Sequence, residues 1–172
     1  MAIGKITLKL SEAIIKQYGN LEKLNLSSNE ITIIEDMSRL SSLKKLNLSN
    51  NMLMGRQMVK LEPLVNLVEL NLKANRISLL EFFPQLPKLL ILDLGNNVIS
   101  DVRQIRYLHK SNPKLQELVL GGNPFTASPT SVLSLFQHLT RVDGRESREY
   151  GVRPAASVGR SLSQPESPRA TH

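Results

Sequence analysis

The sequence predicts an α/β solenoid, a right-handed superhelix with a parallel sheet on its concave face and short helices or 3₁₀ turns on its convex face. One phrase carries this prediction: Leu-x-x-Leu-x-Leu-x-x-Asn recurs five times. The copies begin at Leu21, Leu43, Leu67, Leu89 and Leu115. Their starts lie 22, 24, 22 and 26 residues apart, a spacing typical of one strand and its return.

The Leu-x-Leu part of each phrase predicts a short strand, because alternate residues of a strand face opposite sides. In the first copy Leu24 and Leu26 point into the core and Asn25 points out. Strands this short need neighbours to pair with, so we expect a parallel sheet of about five strands.

The asparagine that ends each phrase is predicted to be structural. These residues are Asn29, Asn51, Asn75, Asn97 and Asn123. An amide offers two donors and one acceptor, which can satisfy main-chain groups at the bend after each strand.

The returning segments are predicted to differ in length and regularity. Val102–Lys110 has helical spacing of apolar residues, including Tyr107, with Ser100 or Asp101 as its N-cap. Prolines interrupt the other returns, so short helical or 3₁₀ pieces are expected there.

Three regions follow from the point where the repeats begin and end. Residues 1–20 are predicted to be an N-terminal capping segment with a helix over 11–19. Residues 21–144 form the repeat domain, closed by a helix over Ser131–His138 whose Val132, Leu135 and Phe136 cover the last repeat. Residues 145–172 are predicted to be a disordered, basic, Ser- and Pro-rich tail.

Charge and cysteine content indicate the expected class of partner and cellular compartment. The net charge of +7 permits an acidic partner but also suits a solvated surface. The sequence has no cysteine, no signal-like leader and no run of apolar residues long enough to cross a bilayer. We therefore expect an intracellular, cytoplasmic protein without membrane contact, with the cytoskeleton, cilium or nucleus as possible sites.

The period near 22 residues, the longer last repeat, Asn123-Pro124-Phe125 and the ending Leu139-x-x-Val142-Asp143-Gly144 resemble one class of protein. This class is the cysteine-free intracellular leucine-rich repeat proteins. It includes the leucine-rich regulator of protein phosphatase 1, the leucine-rich light chain of outer-arm dynein and the spliceosomal A-prime protein. The resemblance covers residues 1–144 and implies a partner's helix or loop on the concave face.

Partner choice is expected to depend on outward positions of the concave strands. The candidate partner-binding residues are Lys45, Val68, Glu69, Lys73, Leu90, Ile91, Asp93 and Val119. Leu90, Ile91 and Val119 form an apolar group beside Gly95 and Gly121, with Asp93 and Lys73 available to orient a partner. The alternative is that the C-terminal cap or the tail covers this apolar group.

The function predicted from these features is a non-enzymatic, monomeric scaffold for protein–protein interaction, associated with the cytoskeleton, a cilium or a motor. A ribonucleoprotein component and a phosphatase-1 regulatory subunit are the alternatives. The concave rows lack the aromatic residues of the phosphatase regulator. They also lack a stacking platform or dense arginine stripe, so direct nucleic-acid binding is not expected.

No catalytic residue, metal site, cofactor or small-molecule substrate is predicted. None of the three histidines, His109, His138 and His172, has a candidate nucleophile or paired acid at a sequence spacing typical of a catalytic site. Gly121-Gly122 belongs to a repeat rather than to a phosphate-binding loop.

The tail carries two candidate phosphorylation sites. Arg160–Pro165 resembles the phosphoserine motif that 14-3-3 adaptors bind, with Ser163 as the modified residue. Ser167-Pro168 suits a proline-directed kinase. Chance matching in a segment rich in serine and proline is the alternative.

Overall fold

The computed structural model describes the backbone of residues 6–8 and residues 20–125, 128–136 and 138–152. The leucine phrases form five parallel strands. These are β2 (Lys23–Asn25), β4 (Lys45–Asn47), β5 (Glu69–Asn71), β6 (Ile91–Asp93) and β7 (Glu117–Val119). They pair in chain order with equivalent residues opposite each other, so Leu24, Leu46 and Leu70 form one row.

The concave sheet has two more strands than the sequence predicted. β8 (Arg141–Val142) pairs parallel to β7, and β9 (Arg145–Glu146) pairs antiparallel to β8. A separate two-stranded parallel sheet joins β1 (Ile6–Leu8) to β3 (Ile31–Ile34), which follows the first phrase. The described sheets therefore extend the repeat array at its C-terminal end and add a second pairing in the first repeat.

The returns on the convex side contain short helices. The 3₁₀ segments are Ser38–Leu40, Gly55–Leu61, Val102–Gln104 and Ser147–Tyr150, and the α-helices are α1 (Ile105–Ser111) and α2 (Pro129–Leu133). Asp101, one of the two predicted caps, accepts a hydrogen bond from the Arg103 backbone N–H at 2.9 Å. Tyr107 is 47% exposed, contrary to the inward spacing predicted for it, because Ile105 and Leu108 occupy the buried face of α1.

The core consists of stacked leucines, as predicted. In the second to fifth phrases both leucines of Leu-x-Leu are buried. Leu24 and Leu26 are only half-buried, because β2 is the outermost strand of the described sheet. Stacking of equivalent side chains between neighbouring repeats is therefore what completes each leucine's burial.

The phrase-ending asparagines form a ladder between repeats. The Asn97 amide nitrogen donates to the carbonyls of Leu72 and Leu94 at 3.0 Å each, and its oxygen accepts from the Ile77 N–H at 3.0 Å. Asn51, Asn75 and Asn123 make the corresponding bonds. Asn29 is exposed and donates to Ser27 of its own turn, so the structural role is strongest where a preceding repeat exists.

The residue before each of these asparagines is left-handed. Ser28, Asn50, Ala74 and Asn96 have φ between 53° and 60°, and Gly122 has φ 78°. At Gly122 a Cβ would lie 1.9 Å from Asn96 Oδ1. Glycine is therefore required by contact as well as by backbone conformation at this turn.

The C-terminal cap differs from the prediction in its helix bounds. The predicted helix Ser131–His138 begins at Pro129 and ends at Leu133, because Ser128 is the N-cap and Pro129 occupies the first turn. Val132 and Phe136 are buried, and Leu135 is partly buried against the core. The predicted N-terminal helix over 11–19 lies outside the described residues.

The predicted domain boundary at 144 is too early. Strand β9 follows at once, and Ser147 is 3% exposed and donates its N–H to Thr140 at 2.7 Å. Val152 in turn donates its N–H to the Ser147 carbonyl at 3.1 Å. The folded unit therefore reaches Val152, while residues 153–172, with Ser163 and Ser167, lie outside the described part.

Candidate protein-binding surface on the concave face

Strand register assembles the outward residues into two rows. The first row runs Lys23, Lys45, Glu69, Ile91, Glu117, Arg141. The second runs Asn25, Asn47, Asn71, Asp93, Val119. Adjacent members of a row lie one strand apart, about 4.8 Å. The sequence-predicted residues Lys45, Glu69, Ile91, Asp93 and Val119 are thus brought together on four neighbouring strands.

The apolar group of the sequence analysis forms a patch in these rows. Ile91 and Val119 lie on adjacent strands, and Leu90 directly precedes Ile91. All three are partly exposed. Among the described residues, neither the C-terminal cap nor another segment buries them, so a patch covered by this cap does not fit the structure.

Ion pairs surround this apolar patch. Lys45 and Glu69 form a salt bridge on one side of Ile91, and Glu117 and Arg141 approach to 3.6 Å on the other. These pairs are at least one-quarter exposed, so each contributes little stability. Their effect is to leave the rows nearly neutral and Ile91 as the apolar position between two glutamates. Lys45 and Glu69 are predicted from the sequence, whereas their pairing and the contribution of Arg141 are not.

The polar row is largely committed to its own backbone. Asn25, Asn47 and Asn71 each accept, through Oδ1, the N–H two residues further on, at 3.0 Å. Asp93 Oδ1 likewise accepts the Gly95 N–H, at 2.8 Å. The second carboxylate oxygen of Asp93 is left for the predicted contact with a partner.

The polar row ends differently at its C-terminal side. Val119 has no side-chain acceptor, and Asp143 supplies one from the next coil. Its Oδ1 accepts from Leu120 at 2.7 Å and from Gly121 at 2.8 Å. The sequence predicted Asp143 only as part of the terminal motif. In the structure this aspartate accepts the two N–H groups at the end of the fifth phrase.

The remaining candidates lie around the patch. Val68 is half-buried at the start of β5, in the position that Leu90 holds before β6. Lys73 is exposed beyond the end of β5. Gly95, beside the patch, is buried, and a Cβ added to it would lie 3.4 Å from Val119 Cγ1, whereas Gly121 is exposed.

Catalytic geometry is not assembled in the described residues. No group of three or more His, Cys, Asp and Glu side chains there is placed to hold a metal ion. The His109 ring meets the Phe136 ring edge-on, with centroids 5.0 Å apart, which ties α1 to the C-terminal cap. None of the described helices combines the length and apolar content that crossing a bilayer would need.

In-register leucine strands joined by an asparagine ladder define a solenoid of the leucine-rich repeat type. Leucine-rich repeat family models match residues 7–53 and residues 85–102. The chain is a leucine-rich repeat protein. Such domains generally mediate protein–protein interaction and are typically not enzymes.

Solved structures share this fold. A chain of the Drosophila melanogaster SNF/U2A′ complex aligns with TM-score 0.63 and 25% identity, covering 89% of this chain and 97% of that one. An internalin (InlF) from Listeria monocytogenes aligns with TM-score 0.59 and 26% identity over 74% of this chain. The present chain spans only 36% of the internalin's length. A search of curated proteins finds no match.

Proposed function

We propose that this protein is a non-enzymatic adaptor that docks a protein partner on the C-terminal half of its concave face. The observation that carries the proposal is the partly exposed apolar patch of Ile91, Val119 and Leu90, in which Ile91 interrupts a row of charged residues and Val119 ends a row of polar ones. An apolar group with a polar surround is the usual arrangement of a binding hot spot.

The patch indicates what the partner offers. An apolar side chain from a helix or loop would cover Ile91 and Val119, and a lysine or arginine beside it would meet Glu69 or Glu117. The second oxygen of Asp93 is a further acceptor at the patch edge. Motor-, cytoskeleton- or cilium-associated proteins are the partner class we propose to examine first.

The test is a double substitution that removes the patch without disturbing the sheet. Ile91→Lys is preferred to an acidic change, because Ile91 lies between Glu69 and Glu117 and lysine would be compensated there. Val119→Asn introduces the residue type that its row carries on β2, β4 and β5, and the Gly121 N–H two residues further on keeps Asp143 as its acceptor. Partners recovered by proximity labelling and quantitative mass spectrometry should decrease at least tenfold, a loss of about 1.4 kcal/mol in binding free energy.

The matched control makes the same two changes on exposed valines outside the concave strands. Val59→Lys with Val65→Asn alters side chains that are 47% and 46% exposed. We expect this control to retain the partners. Equal recovery with the patch variant, measured on protein with unchanged circular dichroism, would show that the concave patch is not the docking site.

A ribonucleoprotein component is the second candidate. It is favoured by the alignment with the SNF/U2A′ complex, which extends over 97% of that chain. If the likeness extends to the partner, this chain should bind purified SNF-type protein directly, as measured by isothermal titration calorimetry. Absence of heat at micromolar concentrations would argue against this candidate and leave the adaptor proposal intact.

A further inference from the structure

The positive charge of the folded unit is concentrated on one convex element. Residues 20–152 contain 16 Lys and Arg against 13 Asp and Glu, a net charge of +3. Residues 102–114 alone contain four basic and no acidic residues, a net charge of +4. The rest of the folded unit is therefore close to neutral, and its excess charge resides in α1 and its flanks.

Three of these cations lie along one stripe and lack acidic partners. Arg106 and Lys110 are separated by one turn of α1, and Lys114 follows just after the helix; all three are exposed. None makes an ion pair within the described part of the chain. Arg103 differs, because its side chain is held by Asp101 through bonds of 2.9 and 3.0 Å.

The contrast with the concave face is informative. There Lys44 pairs with Glu22, Lys45 with Glu69 and Arg141 with Glu117. These three cations of the concave face thus have acceptors within the protein, although Lys23 of β2 forms no ion pair among the described residues. Arg106, Lys110 and Lys114, defined here as the basic stripe, form none there either and lie next to one another. An external anion would supply what this stripe lacks.

The form of the stripe favours one class of anion. Cations about 5–6 Å apart on successive turns match a linear array of fixed negative charges. An acidic protein would need an apolar anchor in a pocket for specific docking. The exposed large apolar side chain of this segment is Tyr107, at 47% exposure on the surface of α1. A flat aromatic ring beside cations is how proteins hold a single-stranded base next to its phosphates.

We propose that the basic stripe binds the phosphodiester backbone of a single-stranded nucleic acid, with Tyr107 stacking on a base. The inference goes beyond partner docking on the concave face and does not depend on it, since the two surfaces share no residue. Binding is weak and strongly salt-dependent. With two or three phosphates contacted, log K falls with log salt at a slope of about −2.

The experiment measures fluorescence anisotropy of the full chain with a labelled uridine-rich RNA of about 20 nucleotides. A DNA of the same length distinguishes the two sources of phosphodiester. Titrations are run between about 50 and about 200 mM salt. Arg106→Glu with Lys110→Glu should weaken binding at least tenfold at the lowest salt. Tyr107→Ala should weaken it about threefold or more without changing the salt slope.

The matched control carries the same change of net charge outside the stripe. Lys60→Glu with Arg76→Glu replaces two exposed cations on other repeats, and we expect less than a twofold effect. An equal loss of RNA affinity in the two double variants would show that binding depends only on the overall charge, and this would overturn the proposal. So would absence of binding at the lowest salt, or displacement of the RNA by an equal charge concentration of polyglutamate, which would identify an acidic protein as the ligand.

Discussion

At the scale of single residues, the asparagine ladder connects neighbouring coils through buried hydrogen bonds. Asn97 bonds the carbonyls of Leu72 and Leu94 and the N–H of Ile77, so it joins the third coil to the fourth. The Ile77 N–H is buried and has the Asn97 oxygen as its acceptor, while the carbonyls of Leu72 and Leu94 are each shared with a second ladder asparagine, Asn75 and Asn123 respectively. The amide thus replaces the hydrogen bonds that an irregular turn cannot make to a regular sheet.

Replacement of Asn97 by alanine tests this role. Removal of the amide leaves the buried Ile77 N–H without its acceptor and takes one of two donors from each of the Leu72 and Leu94 carbonyls, so the free energy of unfolding should fall by about 2 kcal/mol. The measurement is urea denaturation followed by circular dichroism. Asn29→Ala is the control, because the exposed Asn29 donates only to Ser27 of its own turn, and it should cost less than about 0.5 kcal/mol. A similar loss of unfolding free energy in both variants would contradict the inference that the asparagine stabilises the fold through bonds to the preceding repeat.

The sequence was sufficient for the roles of residues that recur with the repeat. The inward leucines and the structural asparagines follow from period and alternation alone. Asp143 and the Glu117–Arg141 approach did not follow, because they depend on a coil outside the five-copy pattern. The basic stripe did not follow either, because Arg106, Lys110 and Lys114 lie on and just after a convex helix, outside the outward strand positions that the repeat defines.

At the scale of elements, the convex helix of the fourth repeat is set by its N-cap. Asp101 accepts the Arg103 N–H and also binds the Arg103 guanidinium. The Arg103 side-chain hydrogen bond, followed by its backbone N–H, lowers the pKa of Asp101 below the usual range. A folded-state pKa below the unfolded value means that this stabilisation is present above the unfolded pKa and is lost as pH falls through the folded pKa.

The pH dependence of an Asp101→Ala variant tests this cap. At neutral pH its denaturant midpoint should lie below that of the unsubstituted chain, and the difference should stay constant down to about pH 5. Below about pH 4 the difference should shrink, because Asp101 takes up a proton first in the unfolded state and, at lower pH, in the folded state as well. Arg103→Ala, which removes the side-chain contact but keeps the backbone cap, should have a smaller effect. A difference independent of pH would show that the charge of Asp101 does not act in the cap.

The helix and strand bounds that the sequence did not predict depend on local capping and pairing rather than on the repeat. Ser128 and Pro129 set the start of α2 two residues before the predicted helix, which sequence spacing of Val132, Leu135 and Phe136 could not locate. Strand β9 was missed because Arg145-Glu146 has no alternation of apolar residues and gains its pairing from β8. Terminal elements of a solenoid take their structure from the neighbour they cover, so their own pattern is weak.

At the scale of the whole molecule, the C-terminal segment determines how the repeat array ends. β8 and β9 extend the concave sheet past the last leucine phrase, and Asp143 caps the turn of the fifth repeat. Ser147 is buried, while Tyr150 and Val152 pack against the core cluster. A solenoid's terminal face is otherwise bare apolar surface, so this segment should be part of the cooperative unit.

Two truncations distinguish this folded end from the sequence-predicted boundary. A chain ending at Gly144 loses β9, the buried Ser147 and the packing of Tyr150 and Val152, so its free energy of unfolding should fall by about 2 kcal/mol or more. A chain ending at Val152 keeps all of these contacts and should match the full chain within about 0.5 kcal/mol. Urea denaturation of the three chains in parallel measures both differences. If the chain ending at Gly144 proved as stable as the others, the segment after the last repeat would be an appendage and the earlier boundary would be correct.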